Sequence, residues 1–142
     1  MPLTKRDKMG EVIVRVRLSN GMDVEMAEAG LLERDKVRTC EVSAVVDTGS
    51  TKSIIAVNVA QQLGLTILRQ SFAQLADGSH VPVNVSGSIQ FEVEGRETLE
   101  DAYVLGDEVL IGQTVLESTD LLVDCKNQRL IGKHPGGRLH RL

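Results

Sequence analysis

The stretch Val45-Val46-Asp47-Thr48-Gly49-Ser50 places an acid at the end of an apolar run. A carboxylate in that position is poorly solvated unless hydrogen bonds hold it. Gly49 lets the chain turn sharply and brings backbone N–H groups up to the acid, while Thr48 and Ser50 add hydroxyls. These residue types in this order hold one carboxylate in a fixed orientation, as general acid/base chemistry requires. An Asp-Thr-Gly tripeptide also serves as an ordinary turn with its Asp as a cap, so its meaning depends on the elements around it. Other chemistries find less support. No Ser-His-Asp arrangement and no glycine-rich phosphate loop can be recognised. His80, His134 and His140 read as surface or tail residues, since no pair has metal-ligand spacing, and Cys40 and Cys125 stand isolated.

The elements that must position Asp47 are nearly all strands. Glu11–Leu18 alternates, with Val12, Val14, Val16 and Leu18 on one face and Ile13, Arg15 and Arg17 on the other. Asn20-Gly21 reads as a hairpin turn leading to a return strand over Met22, Val24 and Met26. A polar connection follows over 27–36, and Val37–Val46 forms the strand that delivers Asp47. Ser53 is placed to cap a short helix with Ile55, Val59 and Leu63 on its apolar face, and Gly64 occupies the C-cap position. Leu65–Leu75 is extended, and Ala76-Asp77-Gly78-Ser79 is a tight turn with Gly78 free to adopt positive φ. Val81, Val83, Val85, Ile89, Phe91 and Val93 then keep one phase of a long ribbon, bent at Gly87, with Pro82 on a side lacking a ladder partner. Glu94-Gly95-Arg96 turns into a strand over Glu97–Leu105. Val109–Gly112 is an apolar strand stopped by glycine, followed by a helix over Gln113–Ser118. A closing hairpin pairs Leu121–Asp124 with Arg129–Ile131. Two of these segments echo one another: each is an apolar strand ending near a glycine, followed by a short helix and another strand. The expected fold is thus all-β with two short helices and two related halves.

Composition narrows the function classes. The 142 residues suit one domain, and 42% hydrophobic against 25% charged residues suits a globular one. With two Phe, one Tyr and no Trp, the core must be aliphatic. The formal net charge is −4. Residues 1–9 hold +2 and residues 133–142 hold +3, which leaves the body at −9. So acidic a body is a poor nucleic-acid surface, and both ends read as flexible basic tails flanking a domain over 10–132. No apolar run reaches membrane-spanning length and no export signal is legible near the start, so a cytoplasmic protein with no membrane partner is expected. Both cysteines are then expected as free thiols packed like small apolar residues.

Taken together, Asp47-Thr48-Gly49 after an apolar strand, the helix beyond it and the downstream Leu110-Ile111-Gly112 resemble the retropepsin-like aspartic proteases over roughly residues 10–132. The resemblance implies an acid-protease barrel that dimerises with its active site on the two-fold axis. It implies that Asp47 is catalytic, that Gly49 turns the active-site loop, and that Thr48 joins a network linking the two loops across the axis. Leu110, Ile111 and Gly112 would be the hydrophobic-hydrophobic-glycine segment through which the loop passes. Residues 71–84 would be a flap, with Ala76, Asp77, Gly78 and Ser79 at its tip. This turn is not glycine-rich as in the viral enzymes, and Tyr103 is not placed as the flap tyrosine of pepsin-type enzymes.

The implied mechanism follows from charge. Two carboxylates close together share one proton, because both cannot ionise cheaply. The ionised member activates water as a general base; the protonated member polarises the scissile carbonyl and helps protonate the leaving amine. No metal or cofactor is needed. A chain with one Asp-Thr-Gly must draw its second aspartate from another copy. Ser50 is expected to donate its hydroxyl to the outer carboxylate oxygen, which would favour ionisation and an acidic optimum. The substrate would be a peptide or flexible protein segment lying extended beneath the flap, in apolar side pockets. Two other readings carry the same residues: a catalytically silent dimer that binds peptides or simply dimerises, and a β-barrel adaptor in which Asp-Thr-Gly is accidental.

Overall fold

The computed structural model describes residues 11–142; the basic tail expected over 1–9 lies outside the described residues. The alternation that begins at Val12 becomes strand β1 (Ile13–Asn20), with Val14, Val16 and Leu18 buried and Arg15 and Arg17 outward. The expected hairpin at Asn20-Gly21 does not form. Asn20 instead caps helix α1 (Gly21–Glu28), its side-chain oxygen accepting from the Asp23 N–H at 3.0 Å. Gly21 is required by close approach, since a Cβ there would lie 2.5 Å from the Ser88 carbonyl oxygen. Met22 and Met26 are four apart, a spacing that fits both a strand face and a helix face. In the helix they point outward while Asp23 and Ala27 are buried. Asp23 then ties α1 to the next strand, accepting from the Arg38 backbone N–H at 3.0 Å, from Nε at 2.8 Å and from Nη2 at 3.0 Å.

Strand β2 (Thr39–Val46) runs antiparallel to β1, with Ile13 opposite Val45 and Ser19 opposite Thr39. Cys40 on β2 packs partly buried against the core. Beyond Asp47 come the short strand β3 (Ile54–Ile55) and helix α2 (Val57–Gln62), which buries Val59 and closes on Leu63 and a positive-φ Gly64. Its N-cap is Ala56 and not Ser53. Strands β4 (Ile67–Gln74) and β5 (His80–Ser86) form a hairpin. Strand β6 (Ile89–Val93) follows the bend at Gly87 and pairs with β1, Leu18 opposite Phe91. The two-residue turn Glu94-Gly95, both at positive φ, folds β7 (Arg96–Glu100) back on β6.

The single strand expected over Glu97–Leu105 is broken. After Asp101 and Ala102 the chain crosses to the other end of the sheet, where β8 (Tyr103–Val104) lies between β5 and β3. Strand β9 (Leu110–Ile111) is followed by helix α3 (Gln113–Thr119) and the closing hairpin of β10 (Leu121–Asp124) and β11 (Arg129–Gly132). Three α-helices are present among the described residues, one more than expected, because α1 replaces a strand. The main sheet runs β4-β5-β8-β3-β9-β2-β1-β6-β7. It curls around an aliphatic core in which Val16, Leu18, Ile55, Leu63, Ile89, Phe91, Ile111 and Val115 are almost wholly buried. Strands β2 and β9 pair in parallel near the centre of the sheet.

Two details depart from expectation near the end of the chain. Cys125 is exposed on the closing hairpin and does not pack as an apolar residue. His134 is no free tail residue: its Nδ1 lies 2.9 Å from Asp120 Oδ2 and its backbone N–H donates to the same oxygen at 2.8 Å. Burial works to raise the Asp120 pKa, but the hydrogen bonds from His134 and the charges of His134 and Arg96 outweigh it and lower the value.

The pairing of Asp23 with Arg38 makes a testable contribution to stability. Its carboxyl lies below the ordinary range chiefly because the Arg38 side chain donates to it. A depressed native value favours folding fully above the unfolded carboxylate value, about pH 4, and loses that contribution as pH falls through the native one. Asp23→Asn should lower stability at neutral pH and flatten its decline on acidification, read as urea midpoints from pH 7 to pH 2.5. An unaltered pH slope would remove Asp23 from this role.

Candidate active site

Strands β2 and β9 lie parallel, with Val45 opposite Leu110 and Val46 opposite Ile111. The pairing continues one step past the strand end, where the Asp47 N–H donates to the Ile111 carbonyl at 2.9 Å. Asp47 is therefore delivered by the best-supported part of the sheet. Its side chain is half-buried, and its Oδ1 accepts from the Gly49 N–H at 3.0 Å, while the Ser50 N–H donates to the Asp47 carbonyl at 3.2 Å. Such a turn, closed by an aspartate on the amide two residues ahead, fixes the carboxylate by local hydrogen bonds. A Cβ on residue 49 would come within 3.3 Å of Asp47 Oδ1, so glycine here leaves that oxygen its place. Thr48 and Gly49 form the exposed tip.

The loop then passes directly over the glycine of Leu110-Ile111-Gly112. Leu110 and Ile111 are buried. A Cβ on Gly112 would lie 2.7 Å from the Lys52 carbonyl carbon and 2.9 Å from the Ser50 oxygen, so only glycine admits the crossing. The crossing also satisfies the start of α3, whose first N–H groups have no partner within the helix. Gln113 donates to the Ser50 carbonyl at 2.8 Å and Thr114 to the Thr51 carbonyl at 3.0 Å. The Gly112 N–H donates to Ser53 Oγ at 2.9 Å. Ser53 is thus a buried brace between the two segments, a role hidden in the sequence because its partner is far along the chain.

Ser50 does not make the expected bond. Its hydroxyl donates to the Lys52 carbonyl at 2.7 Å, and a hydroxyl has one proton to give. The turn at Thr51-Lys52 brings that carbonyl back over Ser50, so Ser50 shapes the loop and does not donate to the Asp47 carboxylate. Lys52 also escaped notice in the sequence. Its Nζ pairs with Asp101 and lies 5.7 Å from the centre of the Tyr103 ring.

The hairpin of β4 and β5 carries the remaining candidates. Ala76, Asp77, Gly78 and Ser79 are all exposed at its tip. Gly78 adopts φ +86°, and its N–H donates to the Leu75 carbonyl at 2.9 Å. The Ser79 hydroxyl and N–H both donate to Asp77 Oδ1, and these bonds, the hydroxyl's first, lower the Asp77 pKa. Away from β4, strand β5 pairs with β8 at Asn84 and Val85, and its last residue, Ser86, donates its N–H to the Ala102 carbonyl at 2.9 Å. The outer part of the hairpin therefore projects with no further ladder partner among the described residues, and it exposes Phe72.

An acid on a glycine-turned loop, threaded against a second apolar strand ending in glycine, decides the comparison. The family described as gag-polyprotein putative aspartyl protease, a retropepsin-like family, matches residues 36–118. This chain belongs to that family. No curated protein matches the sequence. The span shared with the gag-polyprotein aspartyl protease family holds the Asp47 loop, the β4–β5 hairpin, the Leu110–Gly112 segment and most of α3. It leaves out β1, α1 and the closing hairpin.

The crossing yields two mutational expectations. Gly112→Ala should destabilise the fold by about 1–3 kcal/mol or more, as overpacking against rigid backbone does. Ser53→Ala leaves a buried N–H without its acceptor and should cost about 1–3 kcal/mol. Chemical denaturation checks both; wild-type midpoints would dissociate the crossing from stability.

Proposed function

We propose that two copies of this chain form an aspartic endopeptidase whose catalytic pair is Asp47 from each copy. The observation that carries the reading is the fixed Asp47 carboxylate on a loop braced by Gly112. It is an acid oriented as catalysis requires, yet only half of what the chemistry needs. Family membership supports the peptidase class. Placed face to face across a two-fold axis, the two carboxylates share one proton and titrate as a pair. One activates water, and the other polarises the peptide carbonyl and returns a proton to the leaving amine. Thr48, exposed beside Asp47, is available to meet its counterpart across that axis.

A surface for the second copy is supported by the closing hairpin. Leu122 and Ile131 are cross-strand neighbours that both face outward, and β10 and β11 pair only with each other among the described residues. The β4–β5 hairpin acts as the flap over an extended peptide, its backbone edge adding strand-like hydrogen bonds to the substrate. Phe72 supplies an apolar surface on that hairpin.

A peptide-library digest at mildly acidic pH, wild type beside Asp47→Asn, tests the proposal. The wild type should cleave, and Asp47→Asn should lose about a thousandfold or more in kcat/KM while keeping its dimer. Specific activity should fall on dilution through the dimer dissociation constant. Cleavage that survives Asp47→Asn, or a fully active monomer, would end the proposal. Peptide binding without cleavage in both proteins would assign the silent binding module instead.

A further inference from the structure

One row of side chains connects the β4–β5 hairpin to the Asp47 loop. Arg69 of β4 stands opposite Val85, Val85 opposite Tyr103, Tyr103 opposite Ile54, Ile54 opposite Leu110, and Leu110 opposite Val45. Residues directly opposite share a face of the sheet, and alternation from Val45 carries that face on to Asp47. Two residues before Tyr103, the middle of this row, sits Asp101, where the chain crosses from β7 to β8. Its carboxylate receives Lys52 Nζ on one oxygen and lies 3.7 Å from Arg69 Nη2 through the other. Lys52 and Asp101 are both partly buried, at 28% and 32% exposure, and the ammonium also lies over the Tyr103 ring.

Both ends of this bridge are anchored differently. The Lys52 backbone is held rigidly, because its carbonyl accepts from Ser50 and packs against Gly112. Arg69, by contrast, lies at the root of a hairpin whose outer part has no other ladder partner among the described residues. A single carboxylate thus joins the stiff loop to the root of the loosely supported hairpin. Partial burial strengthens such a pair over an exposed one, and the ring face adds to the hold on the cation.

We infer that Asp101 is a positioning residue that couples the β4–β5 hairpin to the active-site loop, setting how readily the hairpin orders over a bound peptide. The inference rests on the aspartic endopeptidase reading for its catalytic consequence, but the coupling itself is measurable without activity. Amide hydrogen exchange over residues 70–83 reads the hairpin directly. Exchange there should accelerate about fivefold in Asp101→Asn and about twofold in Arg69→Gln, the effects expected of partly buried and exposed pairs. For a peptide that the wild type cleaves, KM should rise by similar factors with kcat held within about twofold, since the hairpin orders on binding. Asp101→Glu, which keeps the charge, should recover most of both losses.

Unchanged exchange and unchanged KM in both variants would overturn the inference. So would a fall in kcat alone with the hairpin unaffected, which marks a merely structural lesion. Arg69→Gln alters a largely exposed side chain, so it decides the question if Asp101→Asn does not fold. A wild type that fails to cleave any peptide defeats the endopeptidase reading, while the exchange data still judge the coupling.

Discussion

The backbone of the Asp47 loop crosses the backbone of Gly112 with no room for a single methyl group between them. Every group in the site takes its position from that crossing. Because the two segments touch main chain to main chain, the carbonyls of Ser50 and Thr51 reach the first amides of α3, and the Gly112 N–H reaches Ser53. A helix that begins at a glycine without a side-chain cap is thereby completed by a loop more than fifty residues away. Asp47 is held just before the crossing. Its backbone extends the β2–β9 pairing, and its side chain is closed onto Gly49.

Rigidity is unevenly distributed around this crossing. On one side lie the central strands and the aliphatic core, with Ile55, Ile111 and Val115 fully enclosed. On the other, the β4–β5 hairpin is joined to the sheet near its root, where Asn84 and Val85 pair with β8, Ser86 bonds Ala102 and Arg69 reaches Asp101. Local opening free energies follow such differences in packing and backbone pairing. Lys52, Asp101 and Arg69 lie at the boundary between the firmly packed loop and the more loosely attached hairpin.

Much of this arrangement is legible in the sequence. The apolar run into Asp47, the period-two alternation of β1 and of β5 into β6, and the glycines at 64 and 78 all report local requirements, so they can be read locally. The failures share one cause. Asn20-Gly21 satisfies a hairpin turn as well as a helix cap, and Met22 and Met26 fit either period; what selects α1 is the Ser88 carbonyl pressed against Gly21 and the bonds that Arg38 donates to Asp23. The break between β7 and β8 is likewise unmarked, since residues 97–105 contain neither Gly nor Pro. Ser50 and Ser53 both depart from their anticipated tasks because their partners, a nearby carbonyl and a distant amide, are chosen by how the loop lies.

By itself the sequence determined the class of fold, the strand that ends in Asp47, and the glycine that lets the loop turn. Those follow from hydrophobic period and from the conformational reach of glycine, which are properties of short segments. Only the tertiary structure decided that Ser53 braces Gly112, that Asp120 captures His134, and that Lys52, Asp101 and Arg69 converge. Polar partnerships of that kind depend on distance in space, and a side chain with several possible partners carries no local mark of the one that folding brings within reach.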